Sequence, residues 1–393
     1  MAADRAANRQ GKCDFIYRIC RINRIPLTQL KMARWCLTRK GASWLGTVFQ
    51  VTTNGTLTSL VSFNGTNGAY PESGLVLGSD GDFYGTTAYG GPSYRRSMGS
   101  PILVPGTIFK ISVSGDLTTL ASFNRTNGAS PSGRLVLGID GNFYGTTVAG
   151  GPTEVGTVFQ MNPDGTLNTL LSFNGTNGAN PYGGMVQGTD GDLYGTTAHG
   201  GANGYGTVFR VKPDGTLTTL FSFNGTNGAY PFAGLIQGSG GILYGSTQYG
   251  GSGYDGSINT GYGTVLGITT NGVLVTLGLF NGTNGAHPVT GLVQGSDGNL
   301  YGTTSGGGSH GAGNIYRVEL PIVVQIIAQT GSVFALTWNA VSGRSYQAQH
   351  NSDCNQTNWN NLGATFTATN GNATAVDYDG AHPQRVYRVL QLP

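Results

Sequence analysis

The feature that most limits what this chain can become is a repeat of about 50 residues, the period of propeller and solenoid units. The tetrapeptide Gly-Thr-Val-Phe, intact or loosened, begins at Gly46, Gly106, Gly156, Gly206, Gly263 and Gly313, giving steps of 60, 50, 50, 57 and 50 residues. Phe63, Phe123, Phe173, Phe223 and Phe280 each lead into copies of Asn-Gly-Thr-Asn-Gly-Ala-x-Pro. A third marker, Tyr-Gly-Thr-Thr, recurs around Tyr84, Tyr144, Tyr194, Tyr244 and Tyr301, usually after an Asp-Gly turn. Asp-Gly and Asn-Gly pairs supply the positive φ angles of two-residue hairpins. Each unit therefore reads as four short antiparallel strands, a propeller blade. In the third complete copy these run from Gly183 to Gly188, Leu193 to Ala198, Gly206 to Lys212 and Thr216 to Phe223.

Four complete blades are expected at about 74–123, 133–173, 183–223 and 234–280. Residues 46–63 supply only the last two strands of a blade, and 291–319 the first strands of another. Pairing these ends would close a ring of about five and remove exposed strand edges. Gly313-Asn314-Ile315-Tyr316 duplicates a strand already present at Gly46, so a larger ring stays open. The expected fold class is all-β: a β-propeller of about five four-stranded blades over 46–319, followed by a small β-sandwich over 320–393.

Residues 1–45 share nothing with the repeats and hold 10 of the 21 Lys and Arg, with only Asp4 and Asp14 as acids. They read as a basic N-terminal extension, either a short helix or sequence ahead of the native start. Without them the chain carries 11 bases against 16 acids, which argues against a nucleic-acid footprint. Cys13, Cys20, Cys36 and Cys354 match neither a disulfide framework nor a zinc spacing. No apolar run is long enough to span a bilayer as a helix, and residues 1–30 lack a signal-peptide core. Charged residues are only 10% of the chain against roughly 25% on average, so the surface is Asn, Thr, Ser, Gly and Tyr.

The three repeat motifs together resemble the GloVer tandem repeat of bacterial surface and secreted proteins, over about residues 46–319. The tail, with Leu336-Thr337-Trp338, Tyr346-Gln347 and Arg385-Val386-Tyr387-Arg388, is similar to a β-sandwich module that ends large secreted proteins of the same bacteria. The resemblance implies fold and an extracellular or cell-surface location; it carries no catalytic motif.

Candidate chemistry falls on the blade face formed by crossovers and Gly-Gly loops, where departures from the repeat collect. His287 takes the variable position before proline and His199 the loop position before Gly-Gly. Glu72 and Glu154 are two of only three glutamates. These four are the catalytic candidates, as general acids or bases. Tyr89, Tyr230, Tyr249 and Arg134 are candidates for holding substrate. Asp255, Asn177 and Asn227 are candidates for a calcium ion that would polarise a carbonyl and activate water. Tyr70, Tyr182, Tyr254 and Tyr262 add to an expected exposed aromatic surface. Gln187, Gln237 and Gln294 on the innermost strands make that side polar, without the acids of calcium-dependent propeller lactonases.

The expectation is a calcium-dependent hydrolase opening an acyl-homoserine-type lactone. The alternative is a non-catalytic secreted or cell-surface propeller binding carbohydrate or another small ligand. A monomer with no nucleic-acid partner is expected in either case.

Overall fold

The computed structural model describes residues 29–33, 45–52, 54–92, 96–97, 100–101, 105–238, 241–295, 297–320, 324–330, 333–340, 343–352, 358–369, 372–378 and 386–392. Cys13, Cys20, Cys36, Cys354 and Arg95 lie outside the described residues. The chain divides into two compact units, Met1–Ser172 and Phe173–Pro393.

The first unit holds two complete four-stranded antiparallel blades. One runs Val76–Leu77, Phe83–Thr87, Thr107–Ile111, Leu117–Ser122; the next Val136–Leu137, Phe143–Thr147, Thr157–Met161, Leu167–Ser172. A smaller sheet precedes them, built from Gln29–Ala33, Thr47–Val51 and Leu57–Ser62. Gln29–Ala33 belongs to the segment read from sequence as a helical or non-native extension. It is a strand, antiparallel from Gln29↔Val51 to Ala33↔Thr47. The second unit holds two further complete blades, Val186–Gln187 through Leu217–Ser222 and Ile236–Gln237 through Leu274–Leu279. A last repeat sheet follows, in which Leu300–Gly306 pairs with Ala286–Pro288, Val293–Gln294 and Ile315–Val318.

The strand exchange expected to join the two ends is taken up locally. Thr47–Val51 has Gln29–Ala33 and Leu57–Ser62 as neighbours, and Leu300–Gly306 has the duplicated strand Ile315–Val318. The innermost strands are also shorter than their apolar runs suggested, at two residues each. In the second unit the backbones just before two of these strands also approach closely. A Cβ on Gly183 would come within 2.4 Å of Gly234 N, and one on Gly234 within 2.4 Å of Gly184 O.

Each blade is filled by the same aromatic contacts. Phe123 meets Phe159 edge-on at 5.1 Å, and Phe173 meets Phe209 at 5.2 Å. The glycine of Tyr-Gly-Thr-Thr makes room for that ring, since a Cβ on Gly195 would lie 2.5 Å from Phe209 Cζ. Successive blades then share cores: Tyr84 stacks on Phe143 at 4.1 Å inside the first unit. Burying each such ring contributes about 1.5–3 kcal/mol, so the blade faces supply most of the stabilisation.

Two polar locks recur inside this apolar frame. The first closes the inner hairpin. Tyr84, Tyr144, Tyr194 and Tyr301 donate their hydroxyls to Asp80, Asp140, Asp190 and Asp297 at 2.8, 2.6, 2.6 and 2.7 Å. This, with Asp-to-backbone bonds such as Asp140 Oδ1 accepting from Asn142 N, accounts for the Asp-x-Asp and Asp-x-Asn turns as hairpin chemistry. The second lock is a buried threonine pair. Oγ1 atoms of Thr87–Thr107, Thr147–Thr157, Thr197–Thr207 and Thr247–Thr264 lie 2.8, 2.8, 2.8 and 2.9 Å apart. In the last sheet Thr304 meets Asn314 Oδ1 instead, at 2.7 Å.

After Leu320 two small sheets face each other: Val324–Thr330, Val333–Asn339 and Asn372–Asp377, and Ser345–Asn351 with Asn360–Asn361, Phe366–Thr367 and Val386–Gln391. Leu336, Trp338, Tyr346, Ala348 and Ala373 form the core between them, a two-sheet β-sandwich.

The hairpin lock has a pH signature. Burial works against ionisation of Asp140, but donation from Tyr144 and Asn142 outweighs it and holds the carboxyl below its ordinary value of 3.8. Asp80 and Asp297 are lowered too. A depressed carboxyl contributes stability above its unfolded pKa and loses it as pH falls through the folded one. Tyr144→Phe is expected to cost about 1 kcal/mol at pH 7, the low end for a charged hydrogen bond because the carboxylate is solvent-washed. That difference should shrink in urea titrations as pH falls below the ordinary value of 3.8 and on through the lower folded one; a cost unchanged by acid would remove the electrostatic account.

Candidate functional site

The second unit gathers the candidate side chains, and the repeat chemistry explains how. In Asn174-Gly175-Thr176-Asn177 the two asparagines clasp each other. Asn177 Oδ1 accepts from Asn174 N at 2.9 Å and Asn174 Oδ1 from Asn177 N at 3.0 Å. Gly178 follows at φ +121°, where a Cβ would strike Thr197 at 2.6 Å, so only glycine passes beside the threonine lock. The chain then lays Ala179 antiparallel to His199, the two exchanging backbone bonds of 2.8 and 3.0 Å. Thr197, in the lock, donates its Oγ1 hydrogen to His199 O at 2.9 Å. One repeat later Ala229 and Tyr249 exchange bonds of 2.8 and 3.0 Å, and Thr247 donates to Tyr249 O at 3.0 Å. The residue after each such alanine is thereby set beside the variable loop residue.

That residue is held in the left-handed region in every repeat: Tyr70, Ser130, Asn180, Tyr230 and His287 have φ of 56, 55, 55, 56 and 58°. Asparagine tolerates this; for a tyrosine or histidine it costs on the order of 1–2 kcal/mol. Backbone bonds enforce it, with Tyr230 N donating to Tyr205 O at 2.9 Å and His287 N to Tyr262 O at 2.9 Å.

The result is a row of rings. Tyr182 meets Phe232 at 5.0 Å, Phe232 meets His199 at 6.1 Å, and His199 meets Tyr230 at 5.1 Å. Tyr230 meets Tyr249 at 6.0 Å, and Tyr249 meets His287 at 4.9 Å. Tyr205 flanks Tyr230 at 5.8 Å and accepts a 2.7 Å hydrogen bond from Tyr254 Oη. That bond pushes the Tyr254 phenol up to about 12. The exposed aromatic surface expected from sequence needs correction. Tyr230 is 6% exposed and Tyr89, Tyr249 and Tyr254 are half-buried; Tyr182 and Tyr262, at 38%, remain open.

His199 is the singular group in the row. It is half-buried, and its Nδ1 is buried with no hydrogen-bond partner. Burial lowers its pKa below 6.5, so the ring is neutral at pH 7. His287, by contrast, has Nδ1 3.2 Å from Gln248 O. Among the described residues neither histidine hydrogen-bonds a carboxylate.

The other candidates each have local partners or exposure of their own. Glu72 is exposed in a crossover of the first unit, which contains no histidine. Glu154 pairs with Arg125 at 3.2 Å, both side chains open to solvent. Tyr89 packs edge-on against Tyr70 at 5.6 Å. Arg134 donates from Nε to Leu75 O at 3.1 Å, tying neighbouring inner strands. Asp255 caps its own loop, accepting from Ser257 N at 2.9 Å and Thr260 Oγ1 at 2.8 Å. Asn227 Oδ1, like that of Asn177, accepts a backbone N–H, at 3.1 Å from Asn224 N. These three oxygens are committed to turns. Among the described residues, no three His, Cys, Asp or Glu side chains gather as a metal ion requires. Gln187 and Gln294 likewise close their own hairpins, donating to Gly191 O and Gly298 O at 2.9 and 3.0 Å.

Sequence reading named Tyr182 and Tyr254 only as surface tyrosines and missed Tyr205 and Phe232. The signal was available: Phe232 and Tyr182 both follow the crossover proline, one repeat apart.

Because its folded pKa is depressed, neutral His199 stabilises the fold fully above the unfolded value of about 6.5, and this is lost as pH falls below it. Imidazole NMR titration is expected to give His199 a midpoint below 6.5, raised by Phe232→Ala as water enters. A midpoint at or above 6.5 would contradict the burial of the ring.

Among solved structures, the chain is similar to a putative 6-phosphogluconolactonase from Bacteroides uniformis, at 14% identity over 89% of this chain and 99% of that one, TM-score 0.46. It is also similar to a putative 6-phosphogluconolactonase from Bacteroides fragilis, at 16% identity over 88% and 98%, TM-score 0.44. A putative gluconolactonase matches at 17% identity over 70% and 83%, TM-score 0.40. None of these passes a residue's role to this chain. No curated protein matches it. The family model described as the Gloeobacter/Verrucomicrobia repeat matches residues 35–259, more than half the chain, and with its repeated four-stranded blades this protein belongs to that family.

Proposed function

We propose that the ring row of the second unit is a binding face for a neutral, ring-shaped, hydroxyl-rich ligand, a sugar or a sugar-derived lactone. The observation that carries this reading is continuity: six rings from three successive repeats, each within 6.1 Å of the next. Aromatic bodies with polar tips, bordered by Asn, Ser and Thr, suit a ligand with apolar C–H faces and hydroxyl edges. The strained backbone at Tyr230 and His287 supports a functional reason for placing rings there. His199, half-buried and neutral, adds an imidazole to the row. Scarce surface charge supports an extracellular or cell-surface setting as part of the same proposal.

The His199 imidazole favours one further reading, metal-free opening of a lactone such as an acyl-homoserine lactone. Neutral His199 would take a proton from water as the water oxygen bonds to the lactone carbonyl carbon. The ring C–O bond then breaks and the imidazolium returns its proton to the departing alkoxide, giving the hydroxy acid. No step is routed through calcium, since its candidate ligands are occupied.

Calorimetry with neutral sugars, alongside pH-stat assays on gluconolactone and acyl-homoserine lactones, separates the two. Binding without turnover, weakened about tenfold in His199→Ala for loss of one ring of the row, is the expected result. Ring opening above the buffer rate and abolished in His199→Ala would replace binding with hydrolysis. Neither binding nor turnover would contradict both.

A further inference from the structure

We infer that the ligand of this face is a chain of several neutral sugar units and not a free monosaccharide or single lactone ring; this rests on the binding reading above. The row is generated by repetition. Tyr182 and Phe232 hold one position in successive repeats, Asn180, Tyr230 and His287 a second, and His199 and Tyr249 a third. In contact order the six rings alternate between these positions and between repeats, with centroid distances of 5.0, 6.1, 5.1, 6.0 and 4.9 Å, so the row is several rings long. A single sugar covers one or two of these side chains, whereas a repeating polymer in an extended conformation meets the whole row.

The ends of the row agree with this. It opens at Tyr182, 38% exposed. Beyond His287 the repeat turns to Val289 and Gly306 at the equivalent positions, so the rings stop there. The tyrosine and phenylalanine members of the row carry no charge at pH 7, and burial lowers the pKa of His199. That composition matches an uncharged glycan better than a uronic-acid or sulfated one, which would call for Arg or Lys. The first unit has no such row at these positions: Glu72, Ser130, Ser132 and Ala149 interrupt it, leaving the Tyr70–Tyr89 pair alone.

The test is calorimetry of the full chain with the cello-, malto-, chito- and manno-oligosaccharide series from one to six units. Affinity in at least one series is expected to rise with length through three units or more. Tyr182→Ala, at the exposed end of the row, should weaken the hexasaccharide about tenfold and flatten the rise of affinity with length. Tyr249→Ala, near the other end, should weaken the hexasaccharide as well. A monosaccharide that binds as tightly as its hexasaccharide overturns the extended ligand while the binding reading survives. No binding in any of the four series overturns both.

Discussion

The buried threonine pair is the contact on which the functional face depends. Thr197 Oγ1 accepts from both Thr207 N and Thr207 Oγ1 and donates its own hydrogen to His199 O. One hydroxyl thus joins two strands of the blade and fixes the first residue of the loop. Every polar atom in the cluster is used, which is what makes a buried polar group stabilising and not costly. Because the pair recurs at Thr87, Thr147 and Thr247, the loop residue two positions on is placed identically in each complete blade, and its identity is free to vary.

That division between a fixed frame and variable positions accounts for the ring row. The asparagine clasp and Gly178 bring the crossover against the lock, and the left-handed residue before proline is then set by backbone bonds alone. The backbone at these sites is set without the side chain, so its identity varies from Ser130 and Asn180 to Tyr230 and His287. At the loop position, the blade that half-buries the His199 ring leaves Nδ1 without a protein partner, a cost the fold carries.

The repeat made the four complete blades, the hairpin positions and the β-sandwich legible in sequence, because a 50-residue period with tight Asp-Gly turns leaves few other structures. The two-residue length of the inner strands was not legible, and the close approach of Gly183 to Gly234 is a contact between repeats. Nor was the strand at Gln29–Ala33, whose basic surroundings carry no strand signal. At the site, His199 and His287 were legible as departures from the repeat, and Tyr230 and Tyr249 as recurring tyrosines beside them. The metal candidates were named for oxygen content alone, and the hydrogen bonds that occupy Asp255, Asn177 and Asn227 depend on turn geometry that composition does not reveal.

The measurement that bears most directly on this account is the imidazole NMR spectrum during titration with a neutral oligosaccharide that the protein binds. Three repeats acting as one face require the His199 and His287 signals to move together, with one saturation curve, while His350 in the terminal β-sandwich stays still. Saturable binding that leaves both repeat histidines unmoved, or that shifts His350 alone, would contradict the claim that the ring row is the functional site.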